Sequence, residues 1–276
     1  MAEIPRLPLN SGATIPQVGF GVFKVDPADT QRVVEDALEV GYRHIDTATG
    51  YENEAEVGAA IRASGLDRED VFVTTKLRND HHAAGDAEGA FQRSLDALDL
   101  GWIDLYLIHW PVPSADRYVE TWRTFETFAE HGRARSIGVS NFLIPHLERL
   151  IAEAGTVPAV NQVELHPVFS QPELRRFHAE HGILTEAWGP LGQGKYDLFG
   201  MEPVRNAAAA HGVTPAQVVL RWHLQLGNVV IPKSSSRERM AQNLDLTGFE
   251  LSDEEMAAID ALNEDRRVGG HPEEVS

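Results

Sequence analysis

The chain has 276 residues and a formal net charge of −18, from 24 basic and 42 acidic side chains. A surface that acidic repels nucleic acid and anionic membranes, and it holds an anionic ligand only where cations gather locally. The absence of cysteine excludes disulfides, thiolate nucleophiles and cysteine-built zinc sites.

The first ten residues lack the basic and apolar regions of a signal peptide, and no apolar run approaches the roughly 20 residues of a membrane span. A cytoplasmic protein is the expectation. Residues 6–15 read as two short strands around an Asn-Ser-Gly turn, a hairpin. A short apolar strand followed by a helix then recurs. Strand 18–21 precedes a helix over 27–40, strand 43–46 one over 54–64, strand 71–76 one near 87–98, and strand 103–109 one near 118–131. Strand 136–140 precedes a helix over 144–154, and strand 159–164 one over 171–181. Strand 183–188 leads into a longer loop and helices near 202–211 and 215–226, and strand 229–231 into a short helix over 236–244. A capped helix at 251–262 and a polar tail, read as a loop over one barrel face, complete the chain.

Strands this short and uniformly apolar belong to a parallel sheet covered on both faces. Eight such units in about 250 residues predict a closed (β/α)8 TIM barrel, here with an N-terminal β-hairpin and an extra C-terminal helix and tail, as a single domain over 1–276. The alternative is an open doubly wound sheet, which carries a glycine-rich dinucleotide fingerprint after its first strand. Gly19-Phe20-Gly21 starts such a motif, but position 24 is Lys.

The chemistry-bearing residues fall at strand ends, where a barrel collects its active site. Successive ends deliver Asp46, Lys76 and His109, and Tyr51 follows Asp46 in the next loop. Free tyrosine, with a pKa of about 10, exchanges protons poorly at neutral pH; a nearby lysine lowers that value. Asp46 would hold Lys76 charged, Tyr51 would serve as general acid to a carbonyl oxygen, and neutral His109 would orient the carbonyl. Taken singly, the lysine reads as readily as a structural ion pair, and the histidine more readily as a core residue.

Polar amides form a second group: Ser140 and Asn141 end one strand, and Asn161 and Gln162 lie on the next. They grip a carboxamide or fill a polar rim. Trp188 ends the seventh strand, and its indole stacks on a planar ring or packs in the core. The run 231–239, with Lys233, three serines, Arg237 and Arg239, opens a helix; it reads as a phosphate site, or as an ordinary serine cap with solvated charges. Residues 191–195, Leu191-Gly192-Gln193-Gly194-Lys195, fold over a pyrophosphate or form a surface loop. Only Lys24, Lys76, Lys195 and Lys233 are lysines, so each is worth locating.

With these residues assembled, the chain resembles the aldo-keto reductases over nearly its whole length. The resemblance lies in the run 41–48 (GYRHIDTA) with Glu54, Val57 and Gly58, in Ile231-Pro232-Lys233-Ser234 with Arg239 and Asn243, and in the runs 136–142 and 159–167. Stretches such as 188–200 look most like the bacterial 2,5-diketo-D-gluconic acid reductases. The resemblance implies a monomeric barrel that reduces a small-molecule carbonyl, with NADPH preferred over NADH and no metal. It makes Asp46, Tyr51, Lys76 and His109 a catalytic tetrad. It assigns Ser140, Asn141 and Gln162 to the nicotinamide carboxamide, Trp188 to ring stacking, and Lys233, Ser234 and Arg239 to the 2′-phosphate. Gly189, Leu191, Gly192, Gln193, Gly194, Gln242 and Asn243 complete the cofactor set. Two positions depart: Arg78 stands where relatives carry Trp, and Glu52 where Gly is common. Phe20, Phe23, Arg78, Trp110 and His271 are the expected substrate-pocket residues, with Arg78 free to pair a substrate carboxylate. Two other readings remain: a class I aldolase with Lys76 as Schiff-base nucleophile, and a cofactor-binding regulatory protein with little turnover.

Overall fold

In the computed structural model, which describes residues 4–276, β1 (Arg6–Pro8) and β2 (Thr14–Pro16) pair antiparallel. The alternation that follows runs β3 (Phe20–Gly21), α1 (Pro27–Val40), β4 (His44–Asp46), α2 (Glu54–Ala63), β5 (Phe72–Leu77), α3 (Ala84–Leu98), β6 (Ile103–Ile108) and α4 (Tyr118–Glu130). It continues with β7 (Ala134–Ser140), α5 (Ile144–Glu153), β8 (Val160–Glu164), α6 (Pro172–His181) and β9 (Leu184–Trp188). Helices α7 (Glu202–His211) and α8 (Pro215–Gln225), strand β10 (Val229–Val230), α9 (Arg237–Leu244) and α10 (Asp253–Asp260) complete it.

Strands β3 to β10 form one eight-stranded sheet in chain order. Its two ends meet. Val18 bridges Val230 in parallel, Gly19 N–H donates to the Val230 carbonyl at 2.8 Å, and Val230 N–H donates to the Gln17 carbonyl at 3.0 Å. This closure removes the free edges that an open sheet would expose, and it gives the expected (β/α)8 barrel with hairpin and terminal helix.

Two apolar clusters correspond to the two faces of that barrel. Leu9 and Ile15 of the hairpin pack with Phe72, Leu105, Leu107, Val160 and Val229 inside it, so the hairpin plugs the end where the strands begin. The larger cluster joins the outward strand residues, such as Ile45, Val73 and Tyr106, to the helices. Helix α2 lies so close to α3 that a Cβ on Gly58 would fall 2.0 Å from the Leu98 carbonyl oxygen; only glycine allows that approach.

Several helix starts carry their own marks. Asp26 accepts from Ala28 N–H ahead of Pro27, and Thr214 and Ser252 form capping boxes with Gln217 and Glu255, each cap worth about 1 kcal/mol. Helix α3 begins at Ala84, ahead of the expected 87, and its N-cap Ala83 makes no side-chain cap; the sequence there offers no start signal. With the hairpin sealing one end, the C-terminal strand ends open at the other, and the tail beyond α10 reaches that mouth at Val268, Gly269 and Gly270.

Candidate active site

The mouth holds a cleft of about 660 Å3, within the range of small-molecule sites. Asp46, Tyr51 and His109 line it, as do Ser140, Asn141, Gln162, Trp188, Gly189, Leu191, Gln193 and Lys233. Parallel strands project their last residues toward one end, so Asp46 from β4, Lys76 from β5 and His109 just past β6 converge there although they are far apart in the chain.

Lys76 lies beneath the cleft floor. Its Nζ donates to Asp46 Oδ1 at 2.6 Å and to the Thr47 carbonyl at 2.8 Å, with the lysine fully out of solvent. Burial pushes both partners toward neutrality. At Lys76 burial is the largest influence, but the Asp46 and Tyr51 charges and the hydrogen bond to Asp46 together outweigh it and hold the amine above its ordinary value; at Asp46 burial raises the carboxyl against the pull of Lys76. We assign the proton to the amine, the stronger base, which makes the contact an ion pair.

Tyr51 ends a short turn, Thr49–Tyr51, held by Glu52 in the left-handed region (φ 57°). Its ring centroid is 5.2 Å from Lys76 Nζ, 5.8 Å from the His109 ring and 5.0 Å from Phe23. Burial raises the phenol pKa and Lys76 lowers it, and burial wins. The cation therefore acts in the expected direction, but the net shift is upward. Because the side chain is half-buried and faces an open cleft, the upward push is weaker than full enclosure would give. Either way the phenol keeps its proton at neutral pH. Burial, aided by the Lys76 charge, drops His109 to about 3, so its ring is neutral.

The amide group is more tightly tied than the sequence suggests. Asn141 sits in the left-handed region (φ 64°). It donates to the His109 carbonyl at 3.0 Å and to Ser140 Oγ at 3.1 Å, and its Oδ1 accepts from Trp188 Nε1 at 2.8 Å. It thereby fixes the plane of Trp188. Gln162 Nε2 donates to Asp46 Oδ2 at 2.8 Å and to Glu186 Oε2 at 3.0 Å. Asp46, ionised opposite Lys76, only accepts, so its contact sets which way the amide faces. Glu186 is fully buried, and burial, followed by the Asp46 charge, pushes it up to about 8.

The outer cleft is cationic. Lys24, Lys195 and Lys233 line it, and Arg239 follows on the first turn of α9. Among the described residues none of these four makes a salt bridge, whereas Arg237 turns away to Asp36 and Glu39 at 3.0 and 2.6 Å. Ser236 caps α9, its Oγ accepting from Arg239 N–H.

Some expected site residues lie elsewhere. Phe20 is fully buried, edge-on to Tyr42 at 5.3 Å; strand alternation turns it to the helical layer, while Gly21 lines the cleft. Arg78 is not in the cleft wall: its side chain is 52 % exposed and pairs with Asp80 at 3.2 Å, the carboxylate nearest along the chain. His271 is exposed outside the wall and accepts from Glu273 N–H, because the tail turns there. Gly192 and Gly194 shape their loop at positive φ (69° and 67°) without lining the cleft. Ser234, Arg239, Gln242 and Asn243 lie beyond the wall; Gln242 bonds Glu238 at 3.4 Å, and Asn243 is on the buried face of α9. Phe23 and Trp110 do line the cleft.

The sequence reading missed Lys24 and Glu186, and it expected the tail at the pocket around His271, where the structure puts 268–270 in the wall. The rarity of lysine was a usable signal for Lys24. Nothing local marked Glu186. Among the described residues no cluster of three or more His, Asp or Glu is placed to hold a metal, and no helix is long and apolar enough to cross a membrane.

Comparison with known proteins adds three findings. The model of the Aldo/keto reductase family matches residues 17–264. An aldo-keto reductase of Mycolicibacterium smegmatis is 52% identical over 268 residues, covering 97% of each chain, and the methylglyoxal reductase DkgA of Escherichia coli is 44% identical over 274, covering 99% of each. A solved structure of a Gox0644 mutant in complex with NADPH superposes with a TM-score of 0.95, at 43% identity and with 100% of both chains covered.

Proposed function

The chain belongs to the aldo/keto reductase family, and on that premise we propose that it is an NADPH-dependent oxidoreductase that reduces aldehydes and ketones to alcohols, with Tyr51 as the general acid. The observation that carries the reading is the convergence of a phenol, a neutral imidazole and a buried ammonium on one cleft whose rim is cationic. The residues fit the cofactor on their own chemistry. Four cations that make no salt bridge among the described residues, in a chain of charge −18, suit a phosphorylated ligand, and Trp188, locked by Asn141, offers a flat face for an aromatic ring. Lys233 and Arg239 would hold the 2′-phosphate, and Lys24 and Lys195 the charge between. Bound NADPH supplies the hydride.

The protein supplies the rest. His109, neutral, donates one hydrogen bond that orients the carbonyl oxygen toward Tyr51. The Tyr51 O–H gives its proton to that oxygen as negative charge develops there. Lys76, kept charged by Asp46, stabilises the phenolate left behind. The aldolase alternative is disfavoured, because an amine nucleophile must be unprotonated, and Lys76 spends its hydrogens on Asp46 and Thr47.

For substrate we propose α-dicarbonyls, including 2,5-diketo-D-gluconate. This is supported by the relatives named methylglyoxal reductase and by a cleft lined with both apolar (Phe23, Trp110) and polar groups. Loss of NADPH absorbance with a panel of simple aldehydes, methylglyoxal and 2,5-diketo-D-gluconate tests it. Turnover on none of them, with NADPH still bound, would favour the regulatory reading.

A further inference from the structure

Two segments that wall the cleft are remote in sequence. The loop after β9 contributes Leu191, Gln193 and Lys195, and the tail contributes Val268, Gly269 and Gly270. Between them, at the end of β8 and just beyond, lie Glu164 and His166. Neither is exposed, and neither belongs to the cleft wall.

Glu164 Oε1 accepts from Val268 N–H at 2.5 Å and Oε2 from Gly269 N–H at 2.9 Å, with Arg267 3.7 Å away. His166 Nε2 lies 3.1 Å from Glu164 Oε1, and its Nδ1 lies 2.8 Å from the Tyr196 hydroxyl. A carboxylate only accepts, so Nε2 carries the hydrogen; in the neutral ring Nδ1 then accepts, and Tyr196 O–H donates. Burial works against the Glu164 charge, but the hydrogen bonds from His166, Val268 and Gly269 outweigh it and hold the carboxyl below its ordinary range. The Arg266 guanidinium sits 5.1 Å from the Tyr196 ring centroid, so tail and loop also touch directly. A Cβ on Gly269 would fall 2.4 Å from the Trp188 ring and 2.9 Å from Glu164 Oε2. The tail backbone is therefore drawn flush against the indole by the same carboxylate that anchors the loop.

We propose that Glu164, His166 and Tyr196 are positioning residues that couple the placement of the loop after β9 to seating of the tail against Trp188. The loop borders the cationic end of the cleft at Lys195, and the tail lies against Trp188 at Gly269 and against Trp110, an expected substrate-pocket residue, at Gly270. Binding at either end is then felt at the other through a carboxylate, an imidazole and a phenol that touch neither ligand. This inference rests on the NADPH-dependent reduction proposed above and assigns that reaction a coupling device. Such coupling must be reciprocal, because linkage is symmetric in binding free energy.

The test uses two near-isosteric variants. Glu164→Gln alters the tail side, whereas Tyr196→Phe removes only the hydroxyl bonded to His166 and keeps the ring that Arg266 of the tail packs on. NADPH affinity is read by fluorescence titration, substrate KM by turnover, and tail seating by amide hydrogen exchange at Val268 and Gly269. The expected result is crossed: Tyr196→Phe speeds tail exchange and raises KM, and Glu164→Gln weakens NADPH, each by about fivefold or more. The double variant should fall short of the product of the two single effects. Tail exchange and KM unchanged in Tyr196→Phe, with NADPH affinity unchanged in Glu164→Gln, would overturn the coupling and leave two local fastenings. Exchange needs no turnover, so a protein that binds NADPH yet reduces nothing would defeat the reductase reading while exchange and affinity still decide the relay. Should either variant fail to fold, the wild type decides: saturating NADPH should slow exchange at Val268 and Gly269, and no slowing overturns the proposal.

Discussion

Lys76 Nζ and Asp46 Oδ1 stand 2.6 Å apart, with neither side chain more than 3% exposed. Few contacts commit a protein so strongly, because removing one member strands a charge in the interior. Lys76→Met should therefore lower unfolding free energy by about 3–5 kcal/mol as well as abolish turnover. Urea unfolding checks the first effect. A variant as stable as wild type would mean that the pair is not ionised as assigned.

Tyr51 is the proposed proton donor and is half-buried, so its hydroxyl is dispensable to the core. Tyr51→Phe should cut kcat about a hundredfold to ten-thousandfold while thermal stability and NADPH affinity stay near wild type. Steady-state kinetics beside a cofactor titration separates these. An unchanged kcat would remove Tyr51 from the mechanism.

The outer cations make a distinct prediction. Lys233→Ala and Arg239→Ala should each weaken NADPH by about tenfold to a hundredfold, since hydrogen bonds to charged groups contribute about 1.5–3 kcal/mol. NADH, lacking the 2′-phosphate, should be affected far less. Equal losses for both cofactors would place these cations on another part of the ligand.

Burial also writes a pH dependence. It lowers His44, His109, His178 and His223 to about 3 and His82 to about 4. Between those values and the ordinary 6.5, the unfolded chain binds protons that the folded chain refuses. Stability is thus retained above 6.5 and lost as pH falls toward 3, by about 1.4 kcal/mol per pH unit for each histidine. Glu186, raised to about 8, has the opposite sign and costs stability as pH climbs from its ordinary value toward 8. Stability should peak near neutrality and fall steeply below about pH 6. Urea midpoints at pH 7 and pH 5 test this, and equal midpoints would show that these rings are not buried neutral.

How much of this was legible in the chain follows from what each feature depends on. The strand-helix alternation depends on local periodicity, so all eight barrel strands and their helices fall within a few residues of expectation, the unmarked start of α3 excepted. The convergence of Asp46, Lys76 and His109 was legible as well, because parallel strands of a barrel must end at one mouth. Arg78 shows the limit. Its position after β5 was correct, but a long side chain chooses among partners, and Asp80, two residues on, lies within 3.2 Å. Phe20 shows another, since a shift of one residue in a strand exchanges the core-facing and cleft-facing sides.

The sequence by itself determined the barrel, the order of its strands and the residues at their ends, because these rest on patterning within a few turns of chain. Only the tertiary structure decided that Asn141 locks Trp188, that Glu186 lies beneath Gln162, and that Glu164 and His166 join the tail to Tyr196. Those contacts link residues separated by 24 to 105 positions, save the one between Glu164 and His166. A hydrogen bond across such a distance is specified by barrel closure and side-chain geometry, and neither has a local signature for a reader of the chain to find.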